Sequence, residues 1–553
     1  MSDAIETKTQ LRREPPGALG ATSSSSTRGL GPDYQLAVQE AMAGRYARAR
    51  ELYRGLLDED LAESARWFVR NDLAVLNAMQ GKLEASRAEL KDVIDGCPGW
   101  IVAKKNAASV HSAMNAAATS EMPASCRRSN SSREGSRAPC KISILSFLFN
   151  WPSTGGGIVH TVELVDFLGR AGYIVEHVHA KYEPWGIGRV DDTLPIRSIG
   201  IEFDNRSWNV PTIQAAFRRA VDQFEADVVI ITDCWNFKPY LAQAVEAYPY
   251  VIRQQALECI CPLNNLRLLI DAPNRVRQCA MNQFTAPDHC TTCLADNGVR
   301  SGQLHIAERE LSRVGSSQYR DLLYRTYLGA DAVLVLNPLI QAELRPYCES
   351  VEVVTWGMDP DRFPWPSTSE HEDGDSNGTL TLLMAGAAEE LIKGLHVLRA
   401  ACREVWRVRQ DFRLRITSRS IHNAEEFIQC IGWQSQEELP TRIREADIIV
   451  MPTIAQEGLG RSTVEAMGAA RPVIASAIGG LPYTVSHGVN GLLFEPGDAD
   501  DLARQIVRLL DDPDERRRMG LAGRRRFETE FTWPVVIEDQ YRPLLSRILH
   551  AKR

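Results

Sequence analysis

The stretch from Ile448 to Leu493 restricts this chain to a small set of folds. The apolar run Ile448-Ile449-Val450-Met451 ends at Pro452, and a loop with Glu457, Gly458, Leu459 and Gly460 follows. Ser462-Thr463-Val464-Glu465 then opens a helical pattern that reaches Ala470. A second apolar run, Pro472-Val473-Ile474-Ala475, leads into Gly479-Gly480. Short apolar runs separated by a helix suit parallel strands covered on both faces. Such a unit brings loop N–H groups and a helix N-terminus to the carboxyl end of the sheet, where phosphates bind in open α/β folds. Glu457 on the loop and Glu465 in the first helical turn do not bind phosphate; as acceptors they suit the hydroxyls of a ribose or hexose. Together these features suggest a nucleotide-sugar donor. Ser462-x-x-Glu465 also has the form of a capping box, in which Glu465 would serve only the helix start.

The same alternation recurs upstream. Ile142-Ser143-Ile144-Leu145 reads as a buried strand, followed by Gly155-Gly156-Gly157 and a helix from Ile158 to Ala171. The glycines permit close backbone approach of a ligand at that helix start. Strand patterns at 226–233, 249–253 and 329–337 complete a first doubly wound sheet over 141–365. A second sheet over 379–530 starts at Leu380-Thr381-Leu382-Leu383-Met384, passes through Arg413-Leu414-Arg415-Ile416, Ile431-Gly432-Trp433 and a helix near 437–446, and ends on a helix from Asp498. Residues 531–553 form a last helix.

Residues 1–30 carry the run Thr22-Ser23-Ser24-Ser25-Ser26-Thr27 and cannot bury a core, so they read as a disordered tail. Residues 31–115 are helical. Gly44-Arg45-Tyr46-Ala47 and Gly81-Lys82-Leu83-Glu84 lie 37 residues apart, each before a leucine-bearing helix. This resembles two to three tetratricopeptide repeats, implying a protein partner or a helical cap on the rest of the chain. The Ser/Arg-rich segment 116–140 is a linker that could touch a membrane surface.

The formal charge of −8 gives no reason to expect nucleic acid, and no apolar run is long enough to span a bilayer. The first residues lack the apolar region of a secretory signal. These features suit a cytoplasmic protein with reduced thiols, and leave room for peripheral attachment at the inner membrane face. Cys261-x17-Cys279-x10-Cys290-x2-Cys293 would suit four thiolates around one structural zinc or an iron–sulfur cluster, with unligated thiols as the alternative.

Glu457-Gly458-Leu459-Gly460, Glu465-Ala466-Met467, Arg471-Pro472-Val473-Ile474-Ala475 and Gly479-Gly480, in that order, resemble the retaining GT-B glycosyltransferases of family 4 (glycosyl transferases group 1). The resemblance implies two Rossmann-like domains facing a cleft, no catalytic metal, and a UDP-, GDP- or ADP-sugar donor. It implies a glycan or lipid-linked acceptor and a role in surface polysaccharide or glycolipid synthesis. By the same resemblance Lys393 contacts the diphosphate, Glu457 and the amides of Gly458 and Gly460 lie at the donor sugar, Glu465 at the ribose, and Gly155–Gly157 across the cleft. The tail would cross back onto the first domain, and the cysteine-bearing segment 255–300 resembles an insertion found in some members. Two departures stand out. Ala387 and Ala388 occupy the place of a usual Arg, with Arg461 as a substitute cation or a surface residue. Gln255 stands where members with the insertion often carry His, leaving Gln255 and Arg253 as acceptor-side candidates. A catalytically weakened, scaffold-like protein acting through its repeats is the competing reading.

Overall fold

The computed structural model describes residues 33–96 except 35, 38–39, 41–45, 59–62 and 80–81, and residues 139–551 except 154, 273–274, 299–301, 365–377 and 422–423. The tail 1–30, most of the linker 116–140, the final part of the helical segment and the acidic connection before the second sheet therefore lie outside the described residues. The chain divides into two compact units at Arg137/Ala138.

The first unit contains helices α1 (Tyr46–Asp58), α2 (Glu63–Met79) and α3 (Leu83–Gly96). The starts of α1 and α3 are 37 residues apart, the offset seen in the sequence. Consecutive helices pack through Ala49, Tyr53, Leu56, Val69, Leu73 and Leu76, all buried. The Tyr34 hydroxyl donates to the Asp72 carboxylate at 2.8 Å, which satisfies a buried charge inside this small core.

The second unit holds two parallel sheets. Strands β1 (Lys141–Ser146), β2 (Ile174–Lys181), β3 (Ser198–Glu202), β4 (Val228–Thr232), β5 (Tyr250–Arg253), β8 (Ala332–Val335) and β9 (Val351–Val353) form one, in the order β3-β2-β1-β4-β5-β8-β9. Strands β10 (Leu380–Met384), β11 (Phe412–Ile416), β12 (Ile428–Cys430), β13 (Ile448–Met451), β14 (Val473–Ser476) and β15 (Gly491–Phe494) form the other, ordered β12-β11-β10-β13-β14-β15. A separate antiparallel hairpin, β6 (Leu268–Ala272) and β7 (Arg275–Gln278), lies in the cysteine-bearing segment. Every residue of β4, β5, β8, β10 and β14 is buried, which explains why these strands read as unbroken apolar runs. The expected strand at Ile431–Trp433 falls three residues earlier, on β12, because Gly432 adopts φ 74° and takes the chain out of the sheet.

The C-terminal tail returns to the first sheet, as expected. Trp533, Val536, Ile537, Tyr541, Leu544 and Leu545 share a core with Ile142, Ile144, Val251 and Leu334. The crossover is pinned where Met358 N–H donates to Phe531 O at 2.7 Å and Trp533 N–H donates to Met358 O at 3.0 Å. A Cβ on Gly357 would overlap the Trp533 indole, so only glycine lets the two segments meet. No described helix is long and apolar enough to cross a membrane.

Candidate active site

In an open parallel sheet, ligands bind beyond the carboxyl ends of the strands where the strand order reverses. Here the order reverses between β1 and β4 in the first sheet and between β10 and β13 in the second. The loops after these four strands carry Gly155–Gly157, Asp233, Lys393 and Glu457. Sequence reasoning placed three of these four features at a site; topology brings all of them to one cleft.

On the second-sheet side, Lys393 Nζ lies 2.7 Å from Glu457 Oε1. Burial works against the ammonium, but the Glu457 carboxylate outweighs it and raises the lysine pKa. Lys393 ends a short 3-10 turn, and Gly394 follows at φ 75°, where a Cβ would strike the Pro452 carbonyl. The loops after β10 and β13 are therefore locked together, which fixes the Lys393–Glu457 pair. A cavity of about 390 Å³ opens on the same sheet edge, lined by Glu389, Thr417, Arg419, Ser420 and Trp433 from the loops after β10, β11 and β12. Trp433 is 42% exposed. An exposed indole and flanking polar groups suit a flat heterocycle with hydrogen-bonding edges. The sequence held only a weak signal for this cavity, because its residues are scattered over 45 positions and carry no motif.

Glu465 lies on helix α6, the present label for Arg461–Gly468 after α4 (Gly156–Arg170) and α5 (Pro287–Asn297). The capping-box alternative is corrected: the N-cap is Gly460, at φ 81°, and no side chain caps this helix. Ser462 lies inside the helix, and Glu465 stands in its second turn. Its carboxylate, 2% exposed, accepts from Arg461 Nε at 3.1 Å. Arg461 is not a surface residue. Its Nη2 lies 2.8 Å from Glu163 of α4, so one buried cation joins a carboxylate of each domain. Glu163 also accepts from Trp533 Nε1 at 2.9 Å and faces Arg362 at 3.4 Å. The compensating role expected for Arg461 is thus already taken by two carboxylates.

Across the cleft, α4 begins at the glycine loop, with Gly155 as N-cap and no capping side chain. The first-turn N–H groups are left for another acceptor. A Cβ on Gly157 would overlap the Gln255 carboxamide, and one on Gly156 would stand 3.4 Å from the Arg461 side chain. Gly458 sits against the Gln255 carbonyl, and its own carbonyl accepts from Asn337 Nδ2 at 2.7 Å. Gly458 thus lets the two domains touch backbone to backbone.

The acceptor-side candidates are placed differently from one another. Gln255 Nε2 donates to Asp233 Oδ1 at 2.6 Å and to Thr232 Oγ1 at 3.0 Å, which turns its amide inward. Arg253, 2% exposed, donates to Thr161 and Thr232 hydroxyls at 2.9 Å each and meets His160. It is a buried strut, because its guanidinium is tied to Thr161 of α4 and Thr232 of β4. Asp233, at φ 45°, also accepts from Ser146 at 2.7 Å and Thr161 at 3.1 Å. Burial raises its pKa, partly offset by Arg253 and these donors. Ser146 connects onward to His177 Nε2 (2.9 Å), and Ser198 bridges His177 and His179 at 2.6 and 2.7 Å. Burial lowers His177 to about 3 and His179 to about 4, so both are neutral. Asp233 at the end of β4, Glu163 within α4 and the histidines of β2 escaped sequence reasoning because no motif surrounds any of them.

Residues 379–512 match the family model described as Glycosyl transferases group 1. The chain is 33% identical over 168 residues to an MMP alpha-(1->4)-mannosyltransferase of Mycolicibacterium hassiacum, covering 28% of this chain and 40% of that one. It is 31% identical over 202 residues to a GDP-mannose-dependent monoacylated alpha-(1-6)-phosphatidylinositol monomannoside mannosyltransferase of Corynebacterium glutamicum, covering 33% and 52%. The matched region thus spans about half the length of these curated relatives. A sucrose-phosphate synthase structure from Thermosynechococcus elongatus superposes with a TM-score of 0.52 at 19% identity, covering 75% of this chain and all of that one. The fold is the GT-B arrangement of two Rossmann-like domains.

Proposed function

From a second-sheet domain that belongs to glycosyl transferases group 1, we infer that the protein transfers a sugar from a nucleotide-sugar donor to a glycan or lipid-linked hydroxyl, with retention at the anomeric carbon. The observation that carries this reading is the Lys393–Glu457 pair, fixed at the strand-order reversal and 2.7 Å apart. Lys393 neutralises charge on the departing nucleoside diphosphate, the role that preorganised cations fill in such transfers. Glu457, with the amides of Gly458 and Gly460, accepts from and orients the donor sugar hydroxyls. Both groups now satisfy each other, so a bound donor would replace one strong contact with two.

The acceptor hydroxyl attacks the face from which the diphosphate leaves, and no protein nucleophile is required. The cavity under Trp433 takes the base. Glu465 reaches a ribose only if the Arg461 contact loosens. The relative named for GDP-mannose dependence supports a nucleotide-sugar donor. The acceptor belongs to a surface polysaccharide or glycolipid, reached at a membrane surface, and the N-terminal helices hold a protein partner.

A panel of UDP-, GDP- and ADP-sugars tests this by thermal stabilisation and then by sugar release. A ligand of the native state must raise apparent stability, so one donor is expected to shift the melting temperature and to be turned over. A second reading, a weakened enzyme kept as a scaffold, is favoured by Ala387 in the place of a cation and by the inward-turned Gln255. No shift with any donor selects that reading.

A further inference from the structure

The cysteine-bearing segment leaves the cleft six residues after Gln255 and builds a structure of its own. Its four spaced cysteines come from three elements. Cys261 lies in a turn, Cys279 just after hairpin β6–β7, and Cys290 and Cys293 on one face of α5. All four are free thiols and line a single small cavity with Arg267 and His289. The fifth cysteine, Cys259, is turned away and donates to Trp235 O at 3.0 Å. The structure therefore selects four of the five.

Burial raises the pKa of Cys261, Cys290 and Cys293, so a bound cation is what would ionise them, and three of the four sulfurs already accept hydrogen bonds. Met281 N–H donates to Cys279 Sγ at 3.3 Å, and the backbone at Leu263 and Asn264 donates to Cys261. Asn297 Nδ2 donates to Cys293 Sγ at 3.6 Å. Donors aimed at a sulfur favour its ionised form. Arg267, 5% exposed, spends its Nη atoms on Glu343 and on Ala280 O, yet its Nε has no partner. A buried N–H left open beside four sulfurs is explained if one of them is a thiolate acceptor.

We propose that Cys261, Cys279, Cys290 and Cys293 bind one Zn²⁺ ion as a structural tetrathiolate site. Binding converts four thiols to thiolates and releases four protons, and the site then carries two negative charges. The cavity measures about 10 Å³, the room of about one water-sized sphere. That admits a single ion. Among the described residues no three His, Cys, Asp or Glu side chains yet stand at metal-binding spacing. The ion draws the sulfurs inward to about 2.3 Å. Its function is to pin the segment that starts at Gln255. Arg309 already ties that segment together by donating to Leu263 O at 2.9 Å and Gly298 O at 2.8 Å. The site closes on itself and leaves no open position for chemistry.

The test is elemental analysis of the purified full-length chain, with Co²⁺ exchange read by thiolate-to-cobalt charge-transfer absorption. About one zinc per chain and a tetrathiolate cobalt spectrum are expected. The double variant Cys290→Ser, Cys293→Ser loses the zinc, whereas Cys402→Ser, in the second-sheet core, keeps it. If the variant fails to fold, the wild-type cobalt spectrum still decides. Iron with inorganic sulfide, or a chain that takes up neither Zn²⁺ nor Co²⁺ while four cysteines react with a thiol reagent, overturns the proposal. None of these readouts depends on sugar transfer.

Discussion

The two sheets share topology and differ in how their carboxyl edges are filled. At the carboxyl edge of the first sheet, Ser146, Asp233, Arg253, Gln255, His177 and His179 are joined by hydrogen bonds that run through Thr161, Thr232 and Ser198. Beyond the second, a lysine and a glutamate lie partly exposed, and Trp433 and Arg419 line an open cavity. One edge is a finished wall; the other holds groups whose best partner is each other until a ligand arrives. Polar groups that satisfy one another hold a shape, whereas groups left at an opening can exchange partners. On the proposed reading the catalytic load falls on the second sheet, and the first sheet positions it.

The largest expected effect lies where the two edges meet. Arg461→Met strips the shared cation from Glu163 and Glu465 and should cost about 3–5 kcal/mol of stability, read by denaturant unfolding. A neutral result would mean that the domains do not rely on this bridge.

Next comes the open edge. Lys393→Ala should fold normally and lower kcat by roughly 10²–10³-fold. An unchanged kcat would break the contrast, since the open edge would then not be the working one. Glu457→Gln removes the partner that holds the lysine pKa up. The ammonium would then be lost at lower pH, seen as an alkaline limb of kcat/KM moved toward neutrality.

The wall gives the third test. The folded imidazoles of His177 and His179 sit below their ordinary 6.5, at about 3 and about 4, so the unfolded chain takes up protons first. Stability is complete above pH 6.5 and is lost as pH falls toward 3, at about 1.4 kcal/mol per pH unit for each imidazole. His177→Gln should make this acid slope shallower, measured as the urea midpoint against pH. An unchanged slope would show that the wall is not held by neutral histidines. The smallest effect is Trp433→Ala, expected to weaken donor binding by about 1 kcal/mol, roughly five-fold, in isothermal titration.

Much of the scaffold was legible before any coordinates. Ile142–Leu145, Leu380–Met384 and Ile448–Met451 read as buried strands because parallel strands are apolar on both faces. Gly155–Gly157 and Glu457 were visible because a Gly-rich loop and a carboxylate follow an apolar run, whereas Lys393 was singled out only by the family resemblance. The alternative reading of Ser462-x-x-Glu465 as a capping box does not hold, because the helix starts after Gly460 and places Ser462 inside it. Only the left-handed backbone of Gly460, fixed by the close approach of Leu481, shows that no side chain caps it.

The sequence alone determined the two doubly wound sheets, the glycines at the cleft and the four cysteines of one spacing pattern. These are local signals, set by periodicity, turn chemistry and residue type. Tertiary structure decided which charges pair. Arg461 meets Glu163, 298 positions away, and Glu163 meets Trp533 across 370. It also turned Gln255 inward and gathered Glu389, Thr417 and Trp433 around one cavity. Such partnerships depend on which strand ends the reversed order brings together, and no local pattern in the chain encodes that distance.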